Sequence, residues 1–431
     1  MPVNRRNVIN RYRSIVSATV LLLAACSAVS EVTNFDGGPV APGTLERRPY
    51  LVAVTDSSAI VRWRTFEPSI PNLRFWGAGD TIPVPLPGPA TDHTVLLKDL
   101  SPATQYTYEV QTDDSVWTGP ATFRTSSSPG TKDPFTFLVF GDSGTRNAGQ
   151  LAVAQQLNGE EPALILHTGD LAYKSGTENE LTYNHFHVYA PLLSRAPLYP
   201  TPGDHDLKTR MGQPYIAAFT PPTGWASGSP FYHAFDHGNA RFIALDTKDS
   251  DRHERLYGNL TDRSGKSYQW LVGQLEAARS DPGVDWIFLF FHHAPYSAAT
   301  GFGGHGSDDD IQNVIAPLAD EYGVNFVFSG HDHDYQRSQS LRGDEIVQDG
   351  YGTVYIVSGG GGGRRTLRGT GSEWFTAYAE QVYHYIRVHV NAYTVRLEAV
   401  DTEGSVIDSY TVSLPLERRK TLEPEAVPAA Q

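Results

Sequence analysis

Up to about residue 126 the apolar positions of this chain recur in the period of a strand; beyond residue 134 they come in short solid runs. Ala59-Ile60-Val61-Arg62-Trp63-Arg64 and Tyr106-Thr107-Tyr108-Glu109-Val110 alternate between apolar and polar. Turn-rich stretches such as Pro83 to Pro89 separate them. Residues 44–126 therefore read as an all-β domain, followed by a serine-rich link from Ser126 to Pro134. Phe135 to Phe140 and Ala163 to Leu166 are then apolar runs, with a helix-like stretch from Gly149 to Leu157 between them. A helical pattern covers Glu180 to Leu193, Leu198-Tyr199 leads into a turn, and 231–247 reads as a β-hairpin. Ser267 to Ala278 and Ile311 to Tyr322 are helical, Trp286 to Phe291 and Asn325 to Phe328 are buried strands, and 353–413 is strand-rich. Strands alternating with helices imply an α/β domain over 134–413, with its helices outside.

The two ends read differently. Residues 1–25 form a targeting segment: basic residues from Arg5 to Arg13 precede the apolar run Ile15 to Ala25, which is too short to span a membrane as an ordinary helix. The run ends in Leu23-Ala24-Ala25-Cys26, which resembles a bacterial lipoprotein lipobox, so Cys26 is the candidate lipidation site and a secreted chain without an anchor the alternative. Arg5-Arg6 with Val8-Ile9 is a weak twin-arginine signal. Residues 26–43 are small, polar and Gly/Pro-containing, a tether by composition, and 414–431 reads as a disordered tail. Cys26 is the single cysteine, so no intramolecular disulfide forms and packing and metals must supply the stability. The formal net charge of -14 repels nucleic-acid backbones and anionic membranes. It does not exclude anionic substrates, because a site holding cations is locally positive.

The chemistry gathers where apolar runs stop. Five of them end in a polar signature, four through a glycine: Phe140-Gly141-Asp142, Thr168-Gly169-Asp170, Pro202-Gly203-Asp204, Phe291-His292-His293 and Ser329-Gly330-His331. Ligands of α/β sheets bind at the carboxyl ends of strands, and glycine lets the backbone turn sharply there. Tyr173 and His333 follow within three residues of two of these ends. Seven oxygen and nitrogen donors exceed what one four-coordinate zinc uses. Two cations about 3.5–4 Å apart, sharing one carboxylate, accommodate them.

Those residues also carry a resemblance. GDSG (141–144), GDLAY (169–173), GDHD (203–206), HHAPY (292–296) and GHDHDY (330–335) stand in the order seen in calcineurin-like metallophosphoesterases. The tyrosine of GDLAY and the β-rich region upstream narrow the resemblance to purple acid phosphatases. Within that region, Leu100 to Tyr106 resembles the tyrosine corner of a fibronectin type III sandwich. The resemblance implies a metallophosphoesterase sandwich of two mixed β-sheets flanked by helices, preceded by an all-β fibronectin III-like sandwich. It implies two ions, a ferric ion held by Asp142, Asp170, Tyr173 and His333, and a divalent ion (Fe, Zn or Mn) held by Asp170, Asp204, His293 and His331. His293 is preferred to His292 because the family ligand lies two residues before the proline, here Pro295. His205 resembles the histidine that touches the substrate phosphate, and His305 the one that orients it or protonates the leaving group. The implied activity is acid phosphatase: hydrolysis of a small phosphate monoester by a metal-bound hydroxide, with no nucleic-acid partner. A phosphodiesterase or nucleotide pyrophosphatase on the same metals is the alternative, and an inert surface lipoprotein used for binding is a third reading. One departure stands out: the family has asparagine where this chain has Asp204, which adds a negative charge to the second site.

Blander readings compete for several residues. GDSG also surrounds protease serines, but Thr145-Arg146 does not fit that context, so Ser143 is not read as a nucleophile. Gly265-Lys266-Ser267 lacks the first glycine of a phosphate-binding loop and opens the next helix instead. Gly359 to Gly363 reads as a mobile connection or an anion cradle. Asp308 reads as a helix N-cap. His185 and His187 are given packing or surface roles, His167 is left open between packing and support of the site, and His233, His237 and His253 are assigned nothing.

Overall fold

The computed structural model describes residues 45–70, 72–84, 88–111, 117–222, 224–248, 259–300, 304–365 and 373–419. The targeting segment, Cys26, the tether and His253 lie outside the described residues.

The alternating region folds as a sandwich. Strands β1 (Leu45–Val52), β2 (Ala59–Ser69) and β5 (Ala90–Leu97) form one antiparallel sheet; β3 (Asn72–Trp76), β4 (Ile82–Val84), β6 (Gln105–Gln111) and β7 (Ala121–Arg124) form the other, in the order β4-β3-β6-β7. Leu51, Val61, Trp63 and Val95 of the first sheet meet Leu73, Phe75, Tyr108, Val110 and Phe123 of the second in one core. The Tyr106 hydroxyl accepts the Ser101 N–H at 2.9 Å, closing the corner that the sequence suggested.

The second domain is also two sheets face to face. One runs β10 (Leu198–Pro200), β9 (Leu164–His167), β8 (Phe135–Phe140), β19 (His384–Asn391), β20 (Thr394–Asp401), β21 (Val406–Ser413). The other runs β11 (His233–His237), β12 (Ala240–Ala244), β13 (Trp286–Phe290), β14 (Phe326–Ser329), β17 (Thr353–Ser358), β15 (Tyr335–Arg342), β16 (Glu345–Ile346), with β18 (Thr376–Glu380) paired to β15. Strands β8, β9 and β10 are parallel, as are β12, β13, β14 and β17, and the remaining pairings are antiparallel. Buried on both faces, the parallel strands show solid apolar runs and no alternation, as packing between layers requires. Phe137 of β8 stands edge-on to Phe242 and Phe288 across the gap, with centroids 5.2 Å apart in each case. Helices Lys266–Ser280 and Asp309–Tyr322 cover one outer face, and Ala148–Leu157 and His187–Leu193 the other. Asp308 caps its helix by accepting the Ile311 N–H at 3.0 Å.

The sandwich is docked on the second domain. Tyr50, Val52 and Ile60 share a core with Phe186 and Phe219. Arg62 donates to the Ala218 carbonyl at 2.8 Å, Tyr199 to that of Val54 at 2.9 Å, and Arg47 and Arg64 both pair with Glu178. The serine-rich link is bonded in place, Gly130 N–H to the Gly238 carbonyl at 2.8 Å. The tail expected to be disordered from residue 414 instead continues folded to Arg419: Leu414 is buried, and Arg418 donates to the Gly350 and Gly323 carbonyls at 2.7 and 3.1 Å. Composition alone misses this because the partners come from distant loops. Among the described residues no helix is long and apolar enough to cross a membrane.

Candidate metal centre

All five strand ends named by the sequence, those of β8, β9, β10, β13 and β14, open into one crevice between the two sheets. The backbone there is tightly wound. Asp142, Asp170 and His331 adopt left-handed φ values of 55°, 56° and 71°, a strain that recurs at functional sites. Two glycines are required by close approach. A Cβ at Gly203 would fall 2.1 Å from Asp170 Oδ1, and one at Gly330 would fall 2.3 Å from Asp142 Oδ2.

On one side of the crevice, Asp142 Oδ1 accepts from the Tyr173 hydroxyl at 3.0 Å, and the same hydroxyl lies 3.0 Å from His333 Nε2. Asp142 Oδ2 accepts the His331 N–H at 3.0 Å. On the other side, His292 Nε2 lies 3.7 Å from Asp204 Oδ1, 3.8 Å from Asp170 Oδ2 and 3.2 Å from His331 Nδ1. Three donor groups have their ligand atoms within 4.8 Å of one another: Asp142-Asp170-His292, Asp204-His292-His331 and Asp170-Asp204-His205. Asp170, Asp204 and His292 each belong to two of them.

The structure puts His292, not His293, among the carboxylates. His292 Nδ1 is turned onto the Thr168 carbonyl at 2.9 Å, which leaves Nε2 facing the acids, the arrangement usual for a metal-binding imidazole. His293 Nδ1 instead meets the Thr247 hydroxyl at 2.8 Å. The reason is parity: side chains of an extended segment alternate. Phe288 and Phe290 point into the core between the sheets, while Leu289 and Phe291 point to the helix-covered face. Continuing that alternation sends His292 inward. The run Trp286 to Phe291 is apolar at every position, so only the packing of the strand shows which parity faces the opposite sheet.

The electrostatics suit cations. Burial by itself lowers the basicity of His292, but the charges of Asp170 and Asp142 outweigh it and hold the imidazole up to about 10. His333 is likewise held up to about 9 against its burial by its hydrogen bond to Asp142. Burial raises Asp170, and burial followed by the charges of Asp142 and Asp170 keeps the Tyr173 phenol protonated. Protons held on His292 and His333 offset the negative charge around them, and a cation in their place would do the same work. Oxygen and nitrogen donors, two carboxylates each common to two groups, and histidines turned by backbone carbonyls fit a pair of ions.

The remaining predicted residues stand around this cluster. His205 Nδ1 lies 2.6 Å from the Lys174 carbonyl, and the His205 ring packs 4.5 Å from Tyr173. His305 is exposed, with its ring 3.8 Å from that of His331. Asp204 Oδ2, the oxygen turned away from His292, lies 3.2 Å from Lys208 Nζ, so the charge added by the Asn-to-Asp departure has a partner. Sequence reasoning missed Asp206, the second acid of GDHD. Its carboxylate accepts the Gly203, Leu171 and Ala172 N–H groups at 2.9, 3.1 and 3.2 Å, tying two ligand turns together, and burial followed by the Asp170 charge pushes it up to about 8. His167, left open by the sequence, supports the site: Nε2 lies 2.9 Å from the buried Ser143 hydroxyl, and Nδ1 accepts the Gly169 N–H at 3.2 Å. Gly359 to Gly363 is neither a mobile connection nor a cradle. It is a buried wall, bonded from Gly361 to the Gly141 carbonyl at 3.0 Å and from Gly363 to that of Asp142 at 2.6 Å. His187 meets the Glu46 carbonyl at 2.7 Å, and His185 is packed among rings, as expected for structural residues.

Comparison with known proteins agrees with this architecture. The calcineurin-like phosphoesterase family matches residues 135–335, and the iron/zinc purple acid phosphatase-like protein C family matches 352–409. An uncharacterized protein of Mycobacterium tuberculosis is 27% identical over 62% of this chain and 57% of its own length. Purple acid phosphatase 1 of Ipomoea batatas is 25% identical over 64% of this chain and 59% of its own length. The chain thus spans less than two thirds of the length of either relative. The solved structure of the purple acid phosphatase PPD1 from yellow lupin seeds has the same fold, with a TM-score of 0.73 at 19% identity over 86% of this chain and 75% of the lupin chain. With two family matches that together take in more than half its length, the chain belongs to the calcineurin-like metallophosphoesterases of the purple acid phosphatase type.

Proposed function

We propose that this protein hydrolyses small phosphate monoesters at a dinuclear metal centre. The observation that carries the reading is the overlap of three donor groups at the mouths of parallel strands, with Asp170, Asp204 and His292 each common to two of them. Asp142, Asp170, Tyr173 and His333 would hold one ion, ferric by family resemblance; Asp170, Asp204, His292 and His331 would hold a divalent partner. Bound there, two cations supply Lewis acidity and neutralise charge on the phosphoryl oxygens. The residues of the chain do the rest. Thr168 and Arg364 carbonyls orient His292 and His333, the latter at 2.6 Å from Nδ1. Lys208 offsets the carboxylate of Asp204 and adds positive charge beside His205, where a dianionic phosphoryl group is favoured over a monoanionic one. His205 contacts the phosphate, and exposed His305 gives a proton to the departing alkoxide.

The test is the ratio of kcat/KM for a nitrophenyl phosphate monoester to that for the matching diester, with the metal content of the same sample. A ratio well above one with two ions per chain is expected. A ratio below one moves the protein to diester hydrolysis on the same ligands, and a chain holding fewer than two ions that cleaves neither ester would be an inert binding protein. We keep export with a lipid on Cys26 as the reading of the N-terminus; intact-mass measurement of the membrane fraction checks it.

A further inference from the structure

The motif GHDHDYQ, residues 330–336, alternates two kinds of side chain. His331 and His333 reach the metal cluster. The acids between them do not; they face a different set of partners. Asp332 is fully buried, its Oδ2 accepting from the Ser297 hydroxyl at 2.6 Å and its Oδ1 from the backbone N–H of His305 at 2.8 Å. Gln336 adds to the same junction. Its Nε2 donates to Ser297 Oγ at 3.0 Å and to Asp334 Oδ1 at 2.9 Å, and its Oε1 accepts the Ala298 N–H at 2.7 Å. Ser297 in turn accepts the Ala299 N–H at 3.2 Å, and its own N–H is bonded to Ser307 Oγ at 2.9 Å.

We propose that Asp332, with Ser297 and Gln336, is the positioning group that locks the proton-donating His305 onto the strand end carrying His331 and His333. The proposal rests on the monoesterase reading for its use, though not for its existence. A buried carboxylate without donors is costly, and here its two oxygens take donors from the His305 segment. His305 is exposed, and among the described residues its side chain is set by its ring contact with His331. The bond from its own backbone N–H to Asp332 makes its distance from the metals a property of β14 and the turn beyond it. Asp332 touches no substrate; it acts through His305.

Asp332→Asn and Ser297→Ala, made in the full chain, test this beside His305→Ala. Amide hydrogen exchange is read first, because it needs no turnover. Protection of the His305 N–H should fall at least about tenfold in Asp332→Asn, while two ions per chain are retained. Kinetics follow on two substrates, a nitrophenyl phosphate whose leaving group needs no proton and an alkyl phosphate whose leaving group does. His305→Ala should slow the alkyl ester by about 10²-fold and the nitrophenyl ester far less, the range of a general acid. Asp332→Asn should reproduce that selectivity more weakly, and Asp332→Asn/His305→Ala should be no slower than His305→Ala alone. Equal losses on both esters, additivity in the double variant, unchanged His305 exchange, or loss of metal would each overturn the proposal. If Asp332→Asn does not fold, Ser297→Ala carries the same readouts with the carboxylate intact. An unmodified chain that protects His305 yet cleaves neither ester would sink the function reading and leave the clamp standing.

Discussion

His292 and His333 of the crevice and the histidines of the core behind it are all largely withdrawn from water, yet their environments push them in opposite directions. His292 and His333 are held up to about 10 and about 9; His185 and His233 are pushed down to about 3, and His237 and His384 to about 4. Burial lowers all six. Around His292 and His333 the carboxylates of Asp142 and Asp170 reverse the sign. Around His233 stand the Trp225 ring, stacked at 4.0 Å and 10°, and the rings of Tyr199, Phe235 and Phe290; around His185 stand those of Phe186, Tyr189 and Phe219. His292 and His333 are thus told from the packed histidines by the carboxylates beside them, while His331 is pushed down by its burial and then by the charge of His292.

The largest effect should come from taking away Asp170, the carboxylate assigned to both proposed ion sites. Asp170→Ala should abolish binding of both ions and lower kcat/KM by about 10³-fold or more, given what one electrostatic stabiliser is worth in a dry site. Metal analysis and ester hydrolysis check it together. Next is the contrast within HHAPY. His292→Ala should lose the second ion and at least about 10²-fold in rate, whereas His293→Ala should keep both ions and lose no more than about tenfold, as for a residue outside the ligand set. Equal metal loss in the two variants would return the ligand assignment to His293.

The core histidines make a stability prediction of the opposite sign to their crevice counterparts. Their folded pKa values lie below the unfolded value, so the unfolded chain binds more protons over the interval between. Stability is full above about pH 6.5 and falls as the pH drops toward 4, by about 1.4 kcal/mol per pH unit for each neutral histidine. Urea unfolding of His233→Phe at pH 7, 6 and 5 should show a shallower slope by about one histidine's share; an unchanged slope would mean that His233 takes up a proton in the fold. The smallest effect belongs to Lys208. It is 44% exposed, so screening limits its pair with Asp204. Lys208→Met should weaken competitive inhibition by phosphate about two- to fivefold and lower the monoester-to-diester ratio, with metal content unchanged.

Much of this was legible before any coordinates. The switch from alternating to solid apolar runs marks a sandwich followed by layered sheets, because strands buried on one face and on both faces need different patterns. Asp142, Asp170 and Asp204 announce themselves because each stands directly after a glycine at the end of such a run. Tyr106 announces its corner by its distance from Leu100. The donor types, their order and their position at strand ends are properties of local sequence, and they sufficed to point to a cluster of candidate metal ligands.

What local sequence left open depended on direction across space. His292 and His293 are equally good ligands by chemistry; only the pleat of β13, fixed by packing Phe288 and Phe290 against the opposite sheet, turns one inward. Asp332 and Asp334 look like two further ligands beside His331 and His333, and only the fold shows Asp332 bonded to Ser297 and the His305 backbone, 27 residues away in sequence. The glycines at 359–363 resemble a flexible link until the carbonyls of Gly141 and Asp142 take their N–H groups. The tail past residue 414 stays folded to Arg419 because loops at 323 and 350 offer carbonyls to Arg418. The sequence by itself set which atoms could bind a cation and at which ends of which strands. Tertiary structure decided which of them face one another, because a side chain's direction is fixed by the layer its strand packs against.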